Sequence, residues 1–224
     1  MSEATGELPD GPRKLVEQLE SLLNPVAEEL RRANDAREAA LPACRKVIQL
    51  SGRSIKSVHR LEADRAAELA DEAQAALLEA HGALQPFPAL YHAGFLHDAE
   101  KEYVEARTVA RLVAGEAPQS AAELGVLPQS WMKGLAEAAS EMRRHLLDRL
   151  RAGELDRGEE LLGVMDDIYD VLMTVDFPDA ITSGLRRSLD ALRAVLERSR
   201  GDVTTTVLQT RLQLALENAS SDPA

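Results

Sequence analysis

The sequence predicts an all-α fold, and three observations support that prediction. Apolar residues recur at intervals of three and four along most of the chain, as they do on one face of a helix. Hydrophobic residues make up 45% of the chain, with Ala and Leu prominent, whereas aromatic residues make up only 3%. No segment has the alternation and length typical of a strand. We therefore expect one domain of antiparallel helices joined by short turns.

Proline and glycine divide the pattern into segments. Pro25 follows an amphipathic stretch and occupies a position where a new helix can start. Pro42 is expected to kink the second helix without ending it, because the apolar pattern resumes at once. The pair Gly201-Asp202 is expected to end one helix and cap the next. The predicted segments are 12–24, 25–60, 62–84, 89–113, 129–150, a helix ending near Val175, one spanning 185–196, and a last one from Val203.

Two shorter signals complete this description. Ser120 and Glu123 have the spacing of a capping box, which predicts a short helical turn before Pro128. The polar ends of the chain are expected to lie outside the helical domain. This assigns residues 1–11 to a disordered lead-in, 12–219 to the domain and 220–224 to a polar tail.

Charge and cysteine content exclude several classes of protein. A formal net charge of −12 argues against a uniformly basic nucleic-acid binder, although it permits a local basic patch. The single cysteine, Cys44, excludes an intrachain disulfide and a multi-cysteine metal site. No apolar run approaches the length of a membrane span, and the first residues are polar. We expect a soluble, cytoplasmic protein without a membrane partner.

The stretch 90–105 carries the first candidate site. Asp98, Glu102 and Glu105 are spaced i, i+4 and i+7, so on a helix their carboxylates share one face. Like charges at this spacing repel each other, and a divalent cation would remove the repulsion. A solvated acidic face on an acidic protein is the alternative, and spacing alone favours that alternative.

A second acidic pair lies on the predicted 129–150 helix. Glu137 and Glu141 are also four residues apart, and they lie nearly opposite that helix's own apolar stripe. If the two acidic helices are neighbours, four or five carboxylates could converge. Such oxygen ligands suit Mg²⁺ or Mn²⁺ rather than Zn²⁺.

Basic residues cluster on the predicted 25–60 helix. Arg53, Lys56 and Arg60 share one face at i, i+3 and i+7, and Arg45 and Lys46 precede them. This patch could follow a nucleic-acid backbone. Salt bridges to neighbouring acidic residues are an equally good explanation of the same spacing. The sequence contains no P-loop, dinucleotide-binding, nucleophile-elbow or HExxH motif.

Four stretches, in order and in register, resemble the translin family. They are SGRSIKSVHR at 51–60, HDAEKEYVEA at 97–106, GLAEAASEMRR at 134–144 and DFPDAITSGLRRSLDALRAVLERSRGD at 176–202. The resemblance covers about residues 27–205. It is strongest to the branch of translin-associated protein X and its archaeal and bacterial relatives.

The resemblance implies about seven helices per subunit, a closed hollow homo-oligomer (a hexamer or octamer), and Mg²⁺-dependent cleavage of RNA within it. It assigns the catalytic glutamates of the family's EYVEA motif to Glu102 and Glu105. The third acid, usually Asp in the family, corresponds to Glu137, while Glu141 matches a glutamate shared with translin itself. The same comparison places Arg53, Lys56 and Arg60 on the helix that the family directs at RNA.

The sequence therefore predicts a metal-dependent endoribonuclease acting on single-stranded or short structured RNA. A non-catalytic ring that binds single-stranded RNA or DNA is the rival function, and a structural assembly with solvated acids is a third. A second, translin-like subunit is left open by the resemblance.

Overall fold

The computed structural model describes residues 11–221. The predicted lead-in therefore lies outside the described residues apart from Gly11, which begins the first helix. Of the predicted polar tail, residues 222–224 also lie outside them, while Ser220 and Ser221 belong to the last helix. Within the described range, no helix is both long and apolar enough to cross a membrane.

The all-α prediction is confirmed, since every regular element among the described residues is a helix. Six helices have 19 residues or more, and three have four residues. Their bounds are α1 Gly11–His59, α2 Ala63–Leu84, α3 Pro88–Tyr91, α4 Gly94–Val113, α5 Ala121–Leu124, α6 Pro128–Arg151, α7 Leu155–Met173, α8 Asp179–Thr182 and α9 Leu185–Ser221.

Two predicted helix breaks are wrong. Helix α1 runs through Pro25 as well as Pro42, so the two predicted N-terminal helices are one. Pro25 removes one backbone donor, and its surroundings are exposed, so water can satisfy the freed carbonyl. Helix α9 likewise continues through Gly201, where packing of the buried Ser199 and Val203 offsets the poor helix propensity of glycine.

The capping box at α5 is confirmed. The Ser120 side chain accepts a hydrogen bond from the Glu123 backbone N–H, and the Ser120 backbone N–H donates to Glu123 Oε2 at 2.7 Å. Gly125 then ends the helix in the left-handed conformation, at φ 67°. This turn belongs to the connection that leads from α4 to α6.

Two apolar clusters fill the interior. One is formed mainly by α6, α7, α9 and the end of α4, and includes Met142, Leu161 and Leu192. The other is formed by α1, α2, the start of α4 and the α5 region. Because α4 contributes to both clusters and Trp131 of α6 packs against both, the junction of α4 and α6 is held from two sides.

Close contact between α4 and α6 depends on Gly134. A Cβ at that position would lie 2.6 Å from Val104 Cβ and 2.7 Å from the Lys101 carbonyl oxygen. Only a residue without a side chain permits this approach. Glu137 lies one turn further along α6, so the same close contact brings its side chain towards α4.

Candidate metal centre

Three glutamates converge where α4 meets α6. Carboxylate oxygens of Glu102, Glu105 and Glu137 all lie within 4.8 Å of one another. Each side chain is half-buried, because its neighbours in sequence pack into the interior: Tyr103, Val104, Ala106, Ala136 and Ala138. The packing of the two helices therefore holds the three carboxylates close together, although their like charges repel one another.

The cluster strongly perturbs Glu105. Burial raises the pKa of its carboxyl to about 8, and the negative charge of Glu102 acts in the same direction. Glu137 and then Glu141 add smaller contributions, and the ammonium of Lys101 opposes them only in part. Concentrated negative charge of this kind is relieved either by a proton or by a cation.

Lys101 is the cation that the described residues place among these acids. Its Nζ lies 2.6 Å from Glu137 Oε2 and 3.1 Å from Glu102 Oε1. Burial alone would lower the pKa of Lys101, but the hydrogen bond and charge of Glu137, with those of Glu102, outweigh burial and raise it. The lysine therefore stays charged within the cluster.

The geometry and chemistry of this donor set fit a hard divalent cation. Ligand oxygens lie about 2.1 Å from Mg²⁺, so opposite ligands are about 4.2 Å apart. Oxygens of the three carboxylates lie within 4.8 Å of one another, which is close to the separations that ligands of one such ion require.

The remaining predicted acids lie apart from the three. Asp98 is exposed and is not among the three clustered carboxylates, although it lies on α4 with two of them. Glu141 lies one turn beyond Glu137 on α6, close enough to act electrostatically on Glu105. Its Oε1 accepts a hydrogen bond from His59 Nε2 at 2.7 Å, since an ionised carboxylate can only accept.

The five predicted basic residues lie on one face of α1 and of the turn that directly follows it. All five are exposed, and at about 100° per residue they fall within an arc of about 100°. The opposite face of the helix carries the buried Val47, Ser54 and Val58. None of the five basic side chains makes an ion pair or side-chain hydrogen bond with another described residue. The five basic residues are Arg45, Lys46, Arg53, Lys56 and Arg60.

The absence of such pairs within the described part of the chain disfavours the salt-bridge explanation of this face. Some arginines elsewhere do form ion pairs, as Arg107 does with Asp71 and Arg200 with Asp166. His59, the last residue of α1, contacts Glu141, so this end of the helix lies against α6 one turn from Glu137.

Two residues of the site were missed by sequence reasoning. Lys101 and His59 reach it through contacts that span 36 and 82 positions of the chain. No spacing rule within one helix selects either residue. The only local signal for Lys101 was its position next to Glu102. The only local signal for His59 was its position within the basic cluster.

Comparison with proteins of known structure identifies the family. The chain is 31% identical to AfC3PO, a protein of the translin family, with a TM-score of 0.76, and the match covers 97% of that structure and 84% of this chain. The chain belongs to the translin family. The complex of AfC3PO with duplex RNA gives the same identity and coverage, with a TM-score of 0.77.

A third solved structure has the same fold, and one further protein is similar in sequence. The structure of apo-NeC3PO has a TM-score of 0.74 at 20% identity, covering 82% of this chain and 96% of that one. An uncharacterized protein of Methanocaldococcus jannaschii is 25% identical over 197 residues, or 85% of each chain. No family model matches the sequence.

Proposed function

We propose that this translin-family chain is a Mg²⁺- or Mn²⁺-dependent endoribonuclease. Its substrate is single-stranded or short structured RNA, cleaved inside an oligomeric shell. The observation that carries the proposal is the convergence of Glu102, Glu105 and Glu137 from two helices. Burial and the charges of neighbouring carboxylates raise the pKa of Glu105 to about 8, and a divalent cation would relieve the negative charge that the Lys101 ammonium offsets only in part.

The reaction is hydrolysis of a phosphodiester. A water oxygen forms a bond to phosphorus, the bond to one ester oxygen breaks, the water loses a proton to solvent and the leaving oxygen gains one. A divalent cation, when bound, supplies positive charge that orients the water and offsets charge on the phosphate. Glu102, Glu105 and Glu137 would hold this cation, and the reaction needs no covalent intermediate with the chain.

The basic face of α1 supports RNA as the substrate. Five exposed cations without partners among the described residues form a surface that phosphates would neutralise. AfC3PO, which is 31% identical to this chain, has been solved in complex with duplex RNA. The hydrogen bond between His59 and Glu141 supports this arrangement, because it joins the end of α1 to the helix that carries Glu137, and a strand bound along α1 would then run towards the carboxylates.

An exposed apolar stripe supports assembly into an oligomer. Leu15, Leu19, Leu22, Val26 and Leu30 recur along one face of α1, and each is more than half exposed. Contiguous apolar surface of this kind marks an interaction site in a soluble protein. A closed homo-oligomer of six or eight chains, alone or with a translin-like second subunit, would cover it. Light scattering that gives a monomer at micromolar concentration contradicts this arrangement.

The nuclease proposal is tested with labelled single-stranded RNA and a short duplex, each incubated with Mg²⁺ or with EDTA. We expect cleavage in Mg²⁺ only, and loss of at least about a hundredfold in rate for Glu105→Gln. Asp98→Asn is the matched control, because Asp98 lies on the same helix but outside the cluster. Cleavage that survives EDTA, or is unchanged in Glu105→Gln, rules out the metal mechanism.

The same experiment separates the rival functions. If the protein is a ring that binds single-stranded RNA or DNA without cleaving it, the single-stranded RNA and the duplex both stay intact in Mg²⁺. A purely structural assembly binds neither nucleic acid, even at low salt where phosphate contacts are strongest.

A further inference from the structure

The Lys101 ammonium places a positive charge inside the carboxylate cluster, and this charge limits how many metal ions the cluster can bind. Its side chain is only 17% exposed, and its Nζ contacts both Glu137 and Glu102. An exposed lysine in a salt bridge contributes little, but this ammonium lies between two of the three residues that would ligate a cation. The inference that follows rests on the proposed nuclease function.

The charges favour one divalent ion. Glu102, Glu105 and Glu137 together carry three negative charges when ionised, and Lys101 carries one positive charge. One Mg²⁺ therefore neutralises the four side chains, whereas two would leave an excess of two positive charges. In two-metal sites the ions lie about 3.5–4 Å apart and clamp the attacking and leaving oxygens. Here an ammonium already bridges Glu102 and Glu137, as a second ion would.

The ammonium also retains one donor for the substrate. A lysine has three N–H donors, and two of them are directed at Glu137 and Glu102. The third is available to a nonbridging oxygen of a phosphate bound at the cluster. Charge placed there before the reaction, in a partly buried site, stabilises the transition state more than it would in water.

We propose that this chain uses a single divalent ion, and that Lys101 takes the place of a second one by contacting the phosphate that is cleaved. The alternative is an ion pair that merely offsets repulsion between the carboxylates. The two explanations differ in what removing the ammonium does to metal binding and to catalysis.

The test counts bound Mn²⁺ by electron paramagnetic resonance and measures RNA cleavage on the same preparations. We expect one Mn²⁺ per wild-type chain. In Lys101→Met the loss of a competing cation should tighten Mn²⁺ binding by about tenfold, or admit a second ion, while cleavage falls by about a hundredfold. Tighter metal binding with slower cleavage is the signature of a lysine that acts on the substrate.

Two variants keep the test interpretable. Lys133→Met is the matched control, because Lys133 is a half-buried lysine on α6 for which no ion pair with the three glutamates is formed among the described residues. It should leave both Mn²⁺ binding and cleavage unchanged. Lys101→Arg keeps the charge, so it should retain one-ion binding and recover part of the activity even if the Met variant unfolds.

Two outcomes overturn the inference while leaving the nuclease intact: two Mn²⁺ ions per wild-type chain, or a folded Lys101→Met that cleaves RNA as fast as the wild type. In both cases Glu105→Gln would still be inactive. Absence of Mn²⁺ binding by the wild type, together with intact RNA, is instead a failure of the proposed function, and this inference fails with it.

Discussion

His59 Nε2 lies 2.7 Å from Oε1 of Glu141, and this hydrogen bond joins the end of α1 to α6. The His59 side chain is 1% exposed, and its Nδ1 has no partner among the described residues. The contact therefore fixes how the basic face of α1 is placed relative to the carboxylate cluster. Glu141 lies one turn from Glu137 on α6, and its charge acts on Glu105.

His59→Ala should destabilise the protein by about 1–3 kcal/mol, because it removes a buried ring and leaves Glu141 without its partner. Urea unfolding of the metal-free protein measures this change. His92→Ala is the control, since His92 is exposed, and it should change stability by less than about 0.5 kcal/mol. Equal stability of the His59 variant and the wild type would show that the contact does not hold α1 against α6.

Gly134→Ala should lower both stability and metal affinity. The added Cβ would meet Val104 Cβ and the Lys101 carbonyl oxygen, so α4 and α6 must separate, at a cost of about 1–3 kcal/mol. Separation would also move Glu137 away from Glu102 and Glu105. Thermal unfolding and Mn²⁺ titration measure the two effects.

Gly163→Ala is the matched control for that variant. Gly163 lies in α7, and a Cβ there would meet nothing within 4 Å. The substitution should stabilise the helix by about 0.5–1 kcal/mol and leave Mn²⁺ affinity unaltered. A Gly134→Ala variant that binds Mn²⁺ as the wild type does would contradict the role assigned to the close helix contact.

The stability of the metal-free protein should fall as pH rises between about 4.5 and 8. The pKa of the Glu105 carboxyl is near its usual 4.5 in the unfolded chain and is raised to about 8 in the folded one. Within that window the folded state binds more protons, so its stability is lost as the proton leaves. Glu105→Gln has no such proton to lose.

Melting temperatures in EDTA at pH 5.5, 7.0 and 8.5 measure this dependence. The difference between wild type and Glu105→Gln should shift in favour of the variant as pH rises. A difference that stays constant over the three values would show that Glu105 is ionised throughout, as an ordinary surface glutamate is.

Neutralising the basic face of α1 should weaken RNA binding without abolishing the fold. We expect Arg53→Gln, Lys56→Gln and Arg60→Gln together to reduce the slope of log affinity against log salt by about two, at about 0.7 per phosphate contact for a single strand. Fluorescence anisotropy over a salt series measures the slope.

The matched control replaces three arginines of α9 with Gln, which makes the same change in charge on a different helix. Arg186, Arg187 and Arg193 are likewise exposed. If this variant loses as much affinity and slope as the α1 variant, binding reflects net charge and not the α1 face.

Sequence alone predicted the parts of the site that lie on one helix. Glu102 and Glu105 follow from spacing on α4, because a helix places residues three apart on one face. The same rule selected Asp98, whose carboxylate is not among the three clustered ones. Helical spacing specifies a face of about a third of the helix, and it does not specify which part of that face meets another helix.

Contacts between residues on different helices could be identified only from the folded structure. Glu137 was a candidate from its spacing with Glu141, and the resemblance assigned it a role, whereas Lys101 and His59 had only weak local signals, since their contacts with Glu137 and Glu141 span 36 and 82 positions of the chain. The wrong breaks at Pro25 and Gly201 have a related cause. A Gly or Pro inside a helix costs about 1–3 kcal/mol, and this cost is small compared with the free energy that packing and solvation contribute to a long helix.

The most direct measurement of the central claim is the anomalous diffraction of Mn²⁺ in a crystal of the wild-type protein. The account predicts one anomalous peak per chain, about 2.1–2.2 Å from carboxylate oxygens of Glu102, Glu105 and Glu137. In Glu105→Gln crystals the peak should be lost or much reduced. A wild-type crystal with Mn²⁺ bound only elsewhere, or with a peak that is unchanged in Glu105→Gln, would contradict the assignment of these three glutamates as the metal centre.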